Sequence, residues 1–144
     1  MKHLIITLSF TFLFLSLPFK SFSSGDNKPG MNVKIDTLSS NHFYYKIFDE
    51  QGTLVEEAYW KNGRNVGTFK RYHVNGVIAQ EFNFDESGRR VGEQKYYFEN
   101  GQERLIGNWV DGAINGQVVW FEENGGKMQT VSFRNGKRRT KLVF

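Results

Sequence analysis

Gly63, Gly88, Gly112 and Gly136 follow one another at 25, 24 and 24 residues, and Gly52, Gly76, Gly101 and Gly125 at 24, 25 and 24. Aromatic residues keep the same beat. Phe48, Tyr72, Tyr97 and Phe121 each stand four residues before a glycine of the second series, and Trp60, Trp109 and Phe133 three before one of the first. A period of that size marks a tandem array of supersecondary units, each too small to bury a face alone, so the array is the folding entity.

Within one period the apolar residues alternate. Trp60 pairs with Ala58, Phe84 with Phe82, Trp109 with Gly107 and Phe133 with Val131, each two residues apart and hence on one face of a strand. The residues between them, Tyr59, Asn83, Asn108 and Ser132, are mostly polar and are expected to face water. Asn62-Gly63, Asn75-Gly76, Asn100-Gly101, Asp111-Gly112, Asn124-Gly125 and Asn135-Gly136 all lie between the apolar runs. Such pairs readily take the positive φ that tight antiparallel turns need. Asp85-Glu86-Ser87-Gly88 reads as a turn lengthened by one residue, which accounts for the single spacing of 25 in the first series.

The fold class that follows is all-β: tandem β-hairpin repeats forming one elongated, twisted antiparallel sheet. Strands are predicted at about 41–48, 53–60, 67–74, 77–84, 92–98, 102–109, 116–121 and 127–133, with a short last strand at 141–144 and an irregular capping strand over 33–36.

With 144 residues the chain has room for one domain. Lys2 and His3 precede an apolar run from Leu4 to Leu17, followed by Pro18 and by small residues at Ser21 and Ser23. That run is shorter than the roughly 20 residues a membrane span needs and has the layout of a secretory signal peptide. The expected organisation is a signal peptide over 1–23, a flexible spacer and N-terminal cap over 24–40, and the repeat domain over 41–144. The expected location is outside the cytoplasm: periplasm, outer envelope or extracellular. Loss of Lys2 and Lys20 would lower the formal charge of +4 by two, a weak basic bias that argues against a nucleic-acid partner. With no cysteine, stability has to come from sheet packing and not from disulfides.

The recurring unit resembles the MORN repeat, and more closely the bacterial MORN-repeat variant of the YwqK family of toxin–antitoxin system antitoxins. Tyr59-Trp60-Lys61-Asn62-Gly63 with Gly67, Phe84 with Gly88 and Gly92, Trp109-Val110-Asp111-Gly112 with Gly116, and Phe133-Arg134-Asn135-Gly136 carry the resemblance. A standard MORN unit has a further glycine where this chain has Phe69, Gln94 and Val118, and Thr140 stands where the last unit would have glycine. The resemblance implies a protein-binding module of antitoxin or immunity type, with a toxin as partner.

Little points to chemistry. Only His42 and His73 follow the leader, without metal-ligand spacing, so neither a metal nor a cofactor is expected. His73 is read as a solvent-facing strand residue. The carboxylate pairs Asp49-Glu50, Glu56-Glu57, Asp85-Glu86 and Glu122-Glu123 are adjacent, which on a strand points them to opposite faces, and no catalytic residue is assigned. Charge, however, is sorted between the two ends of the hairpins. Arg64, Arg89, Arg90, Lys137, Arg138 and Arg139 form a candidate basic rim for an anionic partner, and Asp49, Glu50, Glu99, Glu122 and Glu123 an acidic one. The alternative to a protein partner is a lipid head-group layer or a glycan. A second candidate surface is the aromatic stripe Tyr72, Tyr97 and Phe121 with Tyr96 and Trp120, read either as core or as a stacking platform for sugars or a peptide.

Overall fold

The structure is a computed structural model that describes residues 31–139. The expected leader, the spacer up to Gly30, Thr140 and the expected strand at 141–144 lie outside the described residues. The described chain forms β1 (Asn32–Ser39), β2 (His42–Phe48), β3 (Leu54–Lys61), β4 (Arg64–Tyr72), β5 (Ile78–Phe84), β6 (Gly92–Tyr97), β7 (Glu103–Val110), β8 (Ala113–Ile114), β9 (Gly116–Phe121), β10 (Lys127–Arg134) and β11 (Lys137–Arg138). All pair antiparallel in one sheet in chain order, with β8 a short piece against β7 ahead of β9. The sheet starts before the predicted boundary at 41: β1 pairs with β2 from Asn32↔Phe48 to Ser39↔His42, so the irregular cap is a full strand.

The two rims use Asn-Gly differently. At Asn62-Gly63, Asp111-Gly112 and Asn135-Gly136 both residues have positive φ, near 50° and 80°, the two-residue type I′ turn that matches strand twist. At the opposite rim only the glycines do, and the asparagines act through their side chains. Asn75 and Asn100 accept the backbone N–H two residues on, from Val77 and Gln102, while their amides donate to the next turn of the same rim, at Glu99 O (2.7 Å) and Glu123 O (2.9 Å). Asparagine there ties each unit to its neighbour. The lengthened turn is present as expected, closed by Asp85 Oδ1, which accepts from the backbone of Ser87 and Arg89.

Gly67, Gly92 and Gly116, the second glycines of the Gly-x-x-x-Gly pattern, also have positive φ, and at Gly67 and Gly116 the β-ladder slips register. They stand directly across from Phe84, Trp109 and Phe133. A Cβ at Gly92 or Gly116 would meet nothing within 4 Å, so backbone conformation and not crowding calls for glycine there.

One face carries the core. Tyr45, Ala58, Phe69 and Phe82 are successive cross-strand partners, and Ala58, Phe69 and Phe82 are buried, with Phe69 stacked on Phe82 at 5.8 Å and Tyr96 edge-on to Phe82 at 5.1 Å. The same line continues through Gln94↔Gly107 and Val118↔Val131. The positions where the repeat departs from a standard MORN unit, Phe69, Gln94 and Val118, are thus all buried side chains of a sheet that has no second layer among the described residues.

Candidate binding surfaces

The candidate basic rim divides into two groups. Arg64 Nη1 donates to Ser87 O at 2.9 Å. Arg89 pairs with Asp85 at 2.9 Å and Asp111 at 3.3 Å. Arg90 lays its guanidinium over the Phe82 ring at 4.4 Å and near Trp109 at 6.0 Å, covering the core face. These three make contacts that join neighbouring units, Arg64 and Arg89 while still exposed to solvent. Lys137, Arg138 and Arg139 are exposed and make no ion pair among the described residues, so the cations without an internal partner cluster at the C-terminal end of the described array.

The aromatic stripe also divides. Tyr96 belongs to the core face, where Trp120 follows it in the same cross-strand row through Leu105. Tyr72 and Tyr97 lie on the other face, half-buried, with hydroxyls donating to Glu57 (2.6 Å) and Glu81 (3.4 Å). Neither expectation for Tyr72 and Tyr97 fits: they do not fill the core and they are not bare stacking rings.

What they flank is a row of charge that sequence inspection missed. Lys46, Glu57, Lys70, Glu81 and Lys95 are successive cross-strand partners along this second face, alternating in sign. Lys46–Glu57 and Lys70–Glu81 approach to 3.7 and 3.9 Å, and Lys95 pairs with Glu103 at 3.1 Å. The signal was present in the alternation of Lys and Glu once per strand, but it becomes visible only when register is known. Farther along, the row turns apolar at Ile106 and Val119.

Glu57 is the hub of this face. It accepts from the hydroxyls of both Tyr44 and Tyr72. Burial alone would raise its carboxyl, but the two hydroxyls, Lys46 and Lys70 outweigh that and hold it below the ordinary range. The tyrosines respond in the opposite sense: burial and the adjacent Glu57 raise both above their ordinary value. Glu56, its neighbour in sequence, faces the core side, with Tyr45 at 2.9 Å and Arg71 at 2.6 Å. The adjacent carboxylates therefore cannot act on one substrate.

His73 is not a solvent-facing strand residue. It sits in a turn, half-buried, with Nε2 3.0 Å from Tyr97 O. It lines a shallow concavity of about 300 Å³ with Tyr97, Phe98, Glu99, Arg104 and Glu123, open to solvent on the acidic rim. Among the described residues no three His, Cys, Asp or Glu side chains gather as metal ligands would.

A row of aromatics, Trp60, Phe84, Trp109 and Phe133, also runs along the core face, beside Tyr96 and Trp120. Each is only partly covered.

Three segments, residues 44–62, 65–86 and 90–110, match the family model described as MORN repeat variant. They coincide with the hairpins β2–β3, β4–β5 and β6–β7, and the hairpin β9–β10 continues the same glycine spacing. These three segments are similar to MORN-variant repeats. No curated protein matches the chain.

Proposed function

We propose that this array of MORN-variant repeats is an exported, non-enzymatic module that binds another protein, in the manner of an antitoxin or immunity protein acting outside the cytoplasm. The observation that carries the reading is the row of partly covered aromatics on a single-layer sheet. Trp60, Phe84, Trp109 and Phe133 recur at the repeat spacing and offer a ribbon of apolar surface that the other described residues leave partly uncovered. Aromatic anchors of this kind supply most of the affinity in protein interfaces, while the Lys–Glu row on the opposite face is already paired within the chain.

The test is affinity capture from the producing cell's envelope with the wild type and with a Trp60→Ser, Phe133→Ser double variant. Tyr59→Ser, on the opposite and exposed side of β3, serves as control. A partner held by the wild type and the Tyr59 variant but lost by the double variant supports the reading. Equal capture by all three would sink it. If the captured protein is toxic to the cell when produced without this chain, the antitoxin assignment follows. Export is tested by fractionation of the producing cell.

A second reading, an envelope scaffold touching lipid head groups, draws on the exposed Lys137, Arg138 and Arg139. It requires sedimentation with anionic vesicles that is lost when all three are replaced by Glu.

A further inference from the structure

β1 is the outermost strand at the N-terminal end of the sheet, eight residues long and unpaired on its outer side among the described residues. Long exposed edges are normally blunted by short length, bulges or charge, because they pair with other chains. At the other end the edge is treated that way: β11 has two residues, Lys137 and Arg138, followed by Arg139. β1 is four times as long, its one irregularity lies near its end, between Thr37 and Ser39, and its charges are one Lys and one Asp. Ile35 is 46% exposed and Leu38 53%.

The order of residues in β1 is complementary to its own reverse. Antiparallel pairing of two copies about a two-fold axis through Ile35 sets Ile35 opposite Ile35, Lys34 opposite Asp36 twice, and Val33 opposite Thr37 twice. Faces agree as well. Val33, Ile35 and Thr37 are cross-strand partners of Ile47, Tyr45 and Phe43 on the core face, and Lys34 and Asp36 of Lys46 and Tyr44 on the other. Sliding the register by two residues in one direction sets Lys34 against Lys34, and in the other Asp36 against Asp36. A slip of one mates opposite faces. One register is thus favoured over its neighbours.

Lys34 supplies an independent reason. Its cross-strand partner within the chain is another cation, Lys46, and neither Lys34 nor Asp36 has an ion-pair partner among the described residues. Like charges directly opposite are unfavourable in a sheet. An Asp36 from a second copy on the outer side of Lys34 would carry the alternating Lys–Glu row of the second face across the two-fold axis.

We propose that the chain forms a two-fold dimer through antiparallel β1–β1 pairing centred on Ile35, joining two arrays into one continuous sheet with both aromatic rows on the same face. Its occupant is a second copy of this chain. Because β11, the other edge strand among the described residues, is short and cationic, the assembly closes at two copies and does not grow into a fibre.

The absence of cysteine makes the register directly testable. Paired residues of antiparallel strands have Cα atoms about 4.5–5.5 Å apart, within the span a disulfide bridges. Under mild oxidation Ile35→Cys is expected to cross-link to a covalent dimer. Lys34→Cys and Asp36→Cys are each expected to form no covalent dimer alone and to cross-link when mixed. In sedimentation the unmodified purified protein should be dimeric. Lys34→Asp should weaken the dimer on the order of tenfold, and the swap of Lys34→Asp with Asp36→Lys should restore it. A monomer at every concentration, or cross-linking of Leu38→Cys as efficient as that of Ile35→Cys, would overturn the proposal and leave the edge to a strand from a different protein.

Discussion

Trp109 folds its indole over Gly107, two residues earlier on the same strand, so closely that a Cβ on Gly107 would lie 2.8 Å from Cζ3 and 3.3 Å from Val118 Cγ2. In the equivalent line other units place Ala58, Phe82 and Val131, so this glycine answers to packing and not to backbone conformation. Gly107→Ala is expected to destabilise by about 1–3 kcal/mol through overpacking and to change the tryptophan emission. Gly116→Ala, where space is open but φ is +96°, is expected to lose about 1–2 kcal/mol with the emission unchanged. Urea denaturation followed by fluorescence separates the two. Equal spectral effects would contradict the distinction.

The asparagine ladder gives a second expectation. Asn100→Asp keeps the acceptor for Gln102 N–H but loses the donor to Glu123 O, at a cost of about 1 kcal/mol. Asn124, at the last turn of that rim, accepts from Gly126 N–H and donates to no described residue, so Asn124→Asp should be nearly neutral. The comparison is a pair of denaturation midpoints.

Glu57 sets the pH dependence of the second face. Its carboxyl is held below the ordinary 4.5, so the stability it contributes is complete above that value and is lost as pH falls through the lower folded one. Tyr44 and Tyr72 are raised above the ordinary 10.0, so their contribution is complete below 10.0 and is lost as pH rises through their folded values. Glu57→Gln is expected to reduce stability at neutral pH by about 1–3 kcal/mol. It should also flatten the acid limb and bring tyrosine ionisation closer to 10. Stability measured from pH 3 to 11 checks all three.

Most of the fold was legible in the sequence because glycine spacing and period-two alternation report local geometry directly. The hairpins β2–β3, β4–β5, β6–β7 and β9–β10 lie where Trp60, Phe84, Trp109 and Phe133 and their turns place them. The full length of β1 was not legible, since Asn32–Ser39 has no aromatic or Asn-Gly of the repeat and forms by pairing with β2. Functional surfaces were less readable. Arg64, Arg89 and Arg90 look like rim charges in sequence, but their reach is long enough to bind the next unit, and only the register shows what lies there. Gln94 illustrates the same limit: a polar residue in the core line is buried, with its amide donating to Asn83 O and Val91 O beside the lengthened turn, where β5 and β6 share only two residue pairs.

That the repeating unit is a hairpin of two dozen residues, stacked edge to edge, is tested most directly by removing one. Deletion of Arg64–Gly88 joins Gly63 to Arg89 and preserves turn, bulge and facing of every later strand. Denaturation of this shortened chain should remain a single cooperative transition with a β-sheet spectrum and a lower midpoint, whereas deletion of one strand of that hairpin should abolish the fold. An unfolded 25-residue deletion, or a one-strand deletion that folds as well, would contradict the stacked-hairpin account.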